Sequence, residues 1–317
     1  MARLYAGVDG GQSSTTALIA DETGRVIGRG YGGPCNHVST SEGRAKFFSA
    51  LESCLEQACG EACLNPKNVV FASACFGFSG GVEDKESYAR ELVRSSQYKF
   101  THDAAIALSG ATAGEPGIII IAGTGSMAFG RNARGETARA GGWGYIFGDE
   151  GGAFDLVRQA LRAALQAEEG WGPQTLLRDR LLEASGAHDA NELLHRFYTP
   201  EYSRTRIASY APLVIQAARV GDQIALEILN GAAVKLAGFV EGVYRRLFHG
   251  GQAVPVCHIG GVFRSELLRS AFVERIRKDL SCAAGPPRFS PAAGALLEAL
   301  RIDGNRSELS NTPESDK

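Results

Sequence analysis

The chain opens on short apolar runs broken by glycine. Arg3 to Asp9 (RLYAGVD) stops at Gly10-Gly11, Ser14 to Ala20 (STTALIA) is rich in β-branched residues, and Arg25 to Tyr31 (RVIGRGY) alternates after the turn residues Asp21 to Gly24. Period two with turn punctuation predicts three strands joined by hairpins. Beyond Gly32-Gly33-Pro34 the period changes: Phe47, Phe48, Leu51, Leu55 and Ala58 recur at helical spacing inside 41–63, with Ser41 as the cap. A strand over 68–78, a helix over 85–95, a short strand over 98–101 and a helix over 104–113 complete a βββαβαβα order.

The second half restarts in the same way. Gly117 to Ala122 (GIIIIA) reads as a buried strand, Gly123-Thr124-Gly125-Ser126 as a turn and 126–132 as a returning strand, a weak internal repeat of residues 3 to 20. A glycine-rich loop over 141–152 leads into helical patterns at 153–167, 175–184, 190–197, 207–220 and 223–247. Another buried strand, 255–259, ends in Gly260-Gly261, and helices over 265–280 and 291–300 follow. From about residue 303 the chain is polar and unpatterned, which predicts a disordered tail.

Composition narrows the class. The 317 residues favour two domains, and 44% hydrophobic with 21% charged residues is the balance of a folded globular chain. A net charge of −2 supplies no basic field for nucleic acid. Runs such as Ile118 to Ala122 are too short to span a bilayer and no apolar signal region opens the chain, so the expectation is a cytoplasmic protein without a membrane partner. Seven cysteines, an odd and scattered number, give no disulfide framework. Cys54, Cys59 and Cys63 lack the second pair that a zinc site usually has. The informative excess is glycine, 40 residues clustered between apolar runs, where backbone approaches something closely.

Four segments carry candidate chemistry. Asp9-Gly10-Gly11-Gln12-Ser13-Ser14-Thr15 joins two strands and lacks the G-K-[ST] ending of a Walker loop. Its amides and hydroxyls can hold phosphate oxygens, with Asp9 placed to hold Mg²⁺ through water; an ordinary hairpin is the alternative. Gly123-Thr124-Gly125-Ser126 repeats that chemistry, and two such turns suit the clamping of a polyphosphate. Asp103 ends a short strand and opens a helix, where it is either a general base or a helix cap, and His102 beside it reads as structural. Residues 141–152 pack six glycines, two acids and three aromatics into a candidate sugar wall, with Asn36 and His37 as further hydroxyl contacts or plain turn residues.

DGGQSST, CNH at 35–37, FSGG at 78–81, THDA at 101–104, AGTGS at 122–126, GGWGYIFGDEG at 141–151 and IGGV at 259–262 stand in the order found in N-acetylglucosamine kinases. Over residues 3 to about 300 the chain resembles these kinases and the related ATPases of the BadF-BadG-BcrA-BcrD type, within the sugar kinase/Hsp70/actin superfamily. The GGWG…GDEG segment is the specific part. The resemblance implies an α/β fold of two RNase-H-like (actin-like ATPase) lobes with a deep cleft, helices being inserted in the second lobe. Lobe one would be 1–113 with the helix 291–301 packing back on it, lobe two 114–290, and 303–317 a tail.

Carried over motif by motif, the resemblance implies ATP with Mg²⁺ positioned by Asp9, and Gly10, Gly11, Gln12, Ser13 and Thr15 on the phosphates. Thr124 and Gly125 would form the second phosphate loop and Gly260 and Gly261 would line the adenosine. Asp103 would be the base, with Asn36, Ser79, Gly80, Thr124, Trp143, Gly144, Asp149 and Glu150 around the sugar. The expected activity is phosphorylation of N-acetylglucosamine or glucosamine at the 6-hydroxyl, in a homodimer. The alternatives are an activator-type ATPase serving an iron–sulfur acyl-CoA reductase or dehydratase, and a non-catalytic sugar or nucleotide sensor. Gln12 and Ser14 depart from the family's first loop, which usually has a third glycine and often a basic residue there.

Overall fold

The computed structural model describes residues 3–35, 41–80, 83–249 and 251–313. The chain divides into two compact units, one formed by Met1–Pro116 with Pro286–Lys317 and the other by Gly117–Gly285.

In unit 1, strands β1 (Tyr5–Gly10), β2 (Thr15–Ala20) and β3 (Val26–Gly32) are followed by helix α1 (Ser41–Glu61), β4 (Phe71–Phe78), α2 (Glu83–Leu92), β5 (Ser95–His102) and α3 (Asp103–Ala111). The sheet order is β3-β2-β1-β4-β5. β1 and β2 pair antiparallel, as do β2 and β3, while β4 and β5 continue the sheet parallel to β1. This is the RNase-H-like arrangement. One face is buried by α1 residues such as Phe47, Leu51 and Leu55. The other is covered by Ile106 of α3 and by Ala292, Leu296 and Leu300 of the C-terminal helix Pro291–Ile302, here α11. α3 and α11 touch backbone to backbone: a Cβ on Gly294 would lie 1.9 Å from the Ile106 carbonyl oxygen, so only glycine allows that approach.

Unit 2 repeats the plan. β6 (Gly117–Ala122), β7 (Ser126–Arg131), β8 (Thr137–Gly141), β9 (Val256–Ile259) and β10 (Ala284–Gly285) lie in the order β10-β9-β6-β7-β8. β6, β7 and β8 are an antiparallel meander, and β9 and β10 add parallel strands, as in unit 1. The insertion between β8 and β9 is helical: α4 (Ala153–Glu168), α5 (Leu177–Ser185), α6 (Ala190–Phe197), α7 (Arg204–Ala208), α8 (Ala211–Arg219) and α9 (Gln223–Leu247). α10 (Glu266–Leu280) connects β9 to β10. α9 is long and apolar enough to cross a bilayer by length and composition, but Leu229, Leu236, Val240 and Val243 bury it in the core of this unit.

Several elements differ from the pattern-based expectation, the two-residue strand β10 among them. β8 is an edge strand with Thr137 and Arg139 facing out, too polar to stand out from the surrounding loop. The helix expected over 207–220 is two, because Pro212 lacks an amide hydrogen and restricts the residue before it, so a new helix starts there. The tail expected from 303 is instead bound to unit 1 as far as Asn311. Val26 donates its amide to the Ser310 carbonyl at 3.0 Å, and the Asn305 and Asn311 side chains donate to the Glu22 and Val26 carbonyls at 2.9 and 2.8 Å. Satisfying the backbone of the β2–β3 hairpin by side-chain amides needs no hydrophobic period, and none is present to be read.

Candidate active site

In unit 1 the candidate residues gather at the end of the sheet where the parallel strands β1, β4 and β5 finish. Asp9 is the penultimate residue of β1, Ser79 and Gly80 follow β4, and Asp103 follows β5. Chain exit at this end of parallel strands brings polar residues into one place. The Ser79 hydroxyl donates to Asp103 Oδ2 at 2.6 Å, and the Ala104 amide donates to Oδ1 at 2.7 Å. Capping of α3 falls to His102, whose Nδ1 accepts from the Ala105 amide at 3.2 Å. The Asp103 carboxylate is therefore aimed by two donors and stands exposed at the first helical position.

Asp9 is different in character. No described group donates a hydrogen bond to its carboxylate, and burial together with the neighbouring Asp103 charge pushes its pKa up from 3.8 to about 7. A half-buried carboxylate without a counter-charge suits a divalent cation, and magnesium is commonly held by one carboxylate with substrate phosphates. Lys85, fully buried, donates to the Ser79 carbonyl and lies 5.7 Å from the Phe78 ring centroid.

The turn after β1 is held by the Gly11 amide on the Ser14 carbonyl, with Gln12, Ser13 and Ser14 exposed at its tip. Thr15, expected on the phosphates, is instead fully buried: its hydroxyl donates to the Gly33 carbonyl at 2.7 Å and contacts Cys35 Sγ at 2.9 Å. The strand's alternation turns it inward, so it braces the loop from behind. Asn36 and His37 lie outside the described residues.

Unit 2 builds a matching turn. Ala153 and Phe154, in the first turn of α4, donate their amides to the Gly123 and Thr124 carbonyls at 2.8 and 3.1 Å. The Thr124 and Gly125 amides donate to no described group, and neither do those of Ser13 and Ser14 in unit 1. Successive free amides of this kind form an anion-binding nest. A Cβ on Gly125 would sit 2.5 Å from Asp149 Oδ2, so any larger residue there has to displace the Asp149–Arg204 pair. Gly260, at φ +112, closes against the same turn: its Cβ would lie 2.4 Å from the Ala122 carbonyl oxygen.

Beside these glycines opens a cavity of about 530 Å³. Gly123, Thr124, Leu156, Ala208, Ala211, Pro212, Ile215, Gly261 and Val262 make most of its wall, and Thr205, Ser209, Gln216, Arg219 and Arg264 add polar groups. Its size and mainly apolar lining with a few convergent polar groups are those of a small-molecule site. The α7 and α8 residues that line it were not legible in the sequence, where they carry no motif.

The 141–152 loop turns on left-handed residues, with Gly141, Gly142, Gly144, Asp149 and Gly151 all at φ between +64 and +81. Asp149 is buried. It accepts the Ser126 amide at 3.3 Å and pairs with Arg204, whose guanidinium also lies 5.5 Å from the Tyr145 ring. Arg204 was missed in the sequence because its partner is 55 residues away. The structure thus ties Asp149 to the second turn, while Glu150 is half-buried. Trp143 is 67% exposed, with the Arg139 guanidinium 4.7 Å from its ring centroid, and Gly144 supplies the carbonyl that the Gly148 amide meets at 2.8 Å. Of the thiols, Cys54 and Cys59 are buried and Cys63 is exposed, and burial pushes Cys54 and Cys75 up to about 12.

Two RNase-H-like units, each with a glycine turn presenting free amides at the end of its first hairpin, define an actin-like ATPase fold. The chain belongs to the BadF/BadG/BcrA/BcrD ATPase family, which residues 6–299 match. It is similar to the N-acetylmuramic acid/N-acetylglucosamine kinase of Clostridium acetobutylicum, 32% identical over 82% of this chain and 85% of the relative. It is likewise 30% identical to the N-acetyl-D-glucosamine kinase of Dictyostelium discoideum, over 94% of this chain and 98% of that one. Among solved structures, a candidate N-acetylglucosamine kinase from Chromobacterium violaceum matches with a TM-score of 0.72 and 28% identity, covering 93% and 98% of the two chains.

Proposed function

We propose that this protein is an ATP-dependent kinase of amino sugars, transferring the γ-phosphoryl group to the 6-hydroxyl of N-acetylglucosamine or glucosamine. The observation that carries the nucleotide half is the cavity bounded by Gly123, Thr124 and Gly261, which pairs an apolar wall for a base with the free Thr124 amide for phosphates. The sugar half rests on the named activities of the relatives and on the exposed Asp103 carboxylate, aimed by Ser79 and the Ala104 amide.

In this reading Asp103 accepts the proton of the sugar hydroxyl as the oxygen–phosphorus bond forms and the bond to the β-phosphate oxygen breaks, leaving ADP. Its lone pairs not used by Ser79 and Ala104 take that proton. Asp9 would hold Mg²⁺ through water, and the ion would neutralise charge on the phosphates. The two nests, Ser13-Ser14 and Thr124-Gly125, add amide donors without a lysine or arginine in the first turn. Asp149 and Glu150 flank the second turn, Trp143 and Gly144 extend the proposed sugar wall, and Gly10 and Gly11 fix the shape of the first.

The test is a coupled ADP-release assay with ATP, Mg²⁺ and each amino sugar, followed by phosphorus NMR of the product. Sugar-dependent turnover giving a 6-phosphate is expected, and Asp103→Asn should lower kcat by roughly 10²–10⁴ with nucleotide affinity kept. ATP consumption indifferent to sugar, or an Asp103→Asn enzyme within threefold of wild type, would overturn the assignment.

A further inference from the structure

The groups that hold Asp103 are themselves fastened to one helix from the other end of the chain. Asp103 stands at the junction of β5 and α3, and Ser79, which donates to it, follows β4. Each of these three elements carries one side chain bonded to α11 at two successive residues. Ser109 of α3 donates its hydroxyl to Glu298 Oε1, and Lys99 of β5 donates to Glu298 Oε2 at 2.5 Å. Ser73 of β4 donates its hydroxyl to the Ala299 carbonyl at 2.5 Å. Glu298 is 3% exposed and Ser109 wholly buried, and Arg301, one turn on, sits 3.6 Å from Glu298 Oε1.

A carboxylate held in the interior by donors from two different elements resists their relative displacement, because moving either one strips a donor from a buried charge. Lys99 lies four residues before Asp103 and Ser109 six after it, so Glu298 bridges both arms of the turn that presents the carboxylate. The helical arm is short, roughly 9 Å at 1.5 Å per residue, so a small tilt of α3 reaches Asp103 nearly undiminished. Backbone contact of α3 with α11 at Gly294 shapes the pair, but one contact line still permits rolling; the two-sided bond at Glu298 removes that freedom.

We propose that Glu298 is a positioning residue for the catalytic base, acting through the β5–α3 turn. This rests on the reading of Asp103 as the base. An ångström of misplacement can cost up to about 10²-fold in rate, so a partial release of the brace should lower kcat by about tenfold.

The experiment compares Glu298→Gln, Ser109→Ala and Asp103→Asn with wild type in the same ADP-release assay, with rates taken per folded molecule and folding followed by circular dichroism and thermal melting. Glu298→Gln is expected to lower kcat about tenfold with the KM for ATP within twofold of wild type. Ser109→Ala, which releases only the α3 arm and keeps the Lys99 pair, should lower kcat less, and this milder variant carries the test if Glu298→Gln does not fold. A double variant Ser79→Ala/Glu298→Gln should fall short of the product of the two single effects, since both act on the same carboxylate. Loss of melting temperature with kcat per folded molecule within twofold of wild type, in whichever of Glu298→Gln and Ser109→Ala folds, would make Glu298 a stability residue only and overturn the proposal. If Asp103→Asn keeps its turnover, the base assignment falls and the brace with it. If Asp103→Asn is inactive while Glu298→Gln and Ser109→Ala keep kcat per folded molecule within twofold of wild type, the brace alone is refuted.

Discussion

Asp9 offers a prediction whose size follows from the structure. Its carboxylate, half-buried beside Asp103 and without a described donor, titrates near 7 when folded against 3.8 ordinarily. Below pH 3.8 the group is protonated in both states and costs nothing. Between 3.8 and 7 the folded protein retains a proton that the unfolded chain has released, so stability falls as pH rises; above 7 the full cost stands. About three pH units at 1.36 kcal/mol each make that cost about 4 kcal/mol. Asp9→Asn removes the charge and keeps the shape. Relative to wild type, the variant should gain nothing at pH 4 and about 4 kcal/mol at pH 8, measured by urea unfolding of both proteins in chelator across that range. A stability difference that does not change with pH would refute the reasoning, since it would mean that the carboxylate is equally comfortable in both states. The companion expectation is functional: binding of the magnesium nucleotide at pH 6.5 should release protons from wild type and not from Asp9→Asn, seen by calorimetry in two buffers of different ionisation enthalpy.

Three further outcomes follow from contacts. Gly294→Ala places a methyl 1.9 Å from the Ile106 carbonyl oxygen, so the α3–α11 contact must open and the protein should lose at least about 1–3 kcal/mol; an unchanged melting temperature would show the helices are not in backbone contact. Ala208→Phe, on the wall of the 530 Å³ cavity, should weaken ATP binding at least tenfold by calorimetry while melting within a few degrees of wild type, and full affinity would move the nucleotide elsewhere. Arg204→Met leaves buried Asp149 without its cation. With the arginine about a third exposed, the expected loss is about 2–3 kcal/mol, and a loss under about 0.5 kcal/mol by denaturant titration would mean that solvent already screens the pair.

Period and turn chemistry made most of the framework legible. The β1–β3 meander, the buried GIIIIA strand and helices such as Ala190–Phe197 follow from local pattern, and the strand-turn-strand repeat anticipated the β6–β7 hairpin. What escaped was decided by partners far along the chain. Arg204 meets Asp149 across 55 residues, and Ser109 meets Glu298 across 189. A lone arginine or glutamate in a helix carries no sign of its partner. Thr15 escaped for the opposite reason: the motif suggested outward chemistry while strand alternation turned the side chain inward. His102 was read as structural beside Asp103, and its capping bond to Ala105 leaves the aspartate exposed.

The order of synthesis gives the division of the chain a further meaning. Unit 2 is one uninterrupted segment, Gly117–Gly285, whereas unit 1 needs Pro286–Lys317 to cover the second face of its sheet. At about 5–20 residues per second, the ribosome makes β1 to α3 roughly 9–35 s before α11 exists to pack on them. Throughout that interval Ile106, Leu18 and Cys75 lack the α11 side chains that complete their cluster, and Lys99 and Ser109 have no carboxylate to meet. The first half of the polypeptide therefore waits for the last, and a chain broken off before residue 291 would hold a finished second unit and an open first one. The waiting half is the part exposed to chaperones and proteases, and an incomplete chain would be recognisable by that bare sheet face.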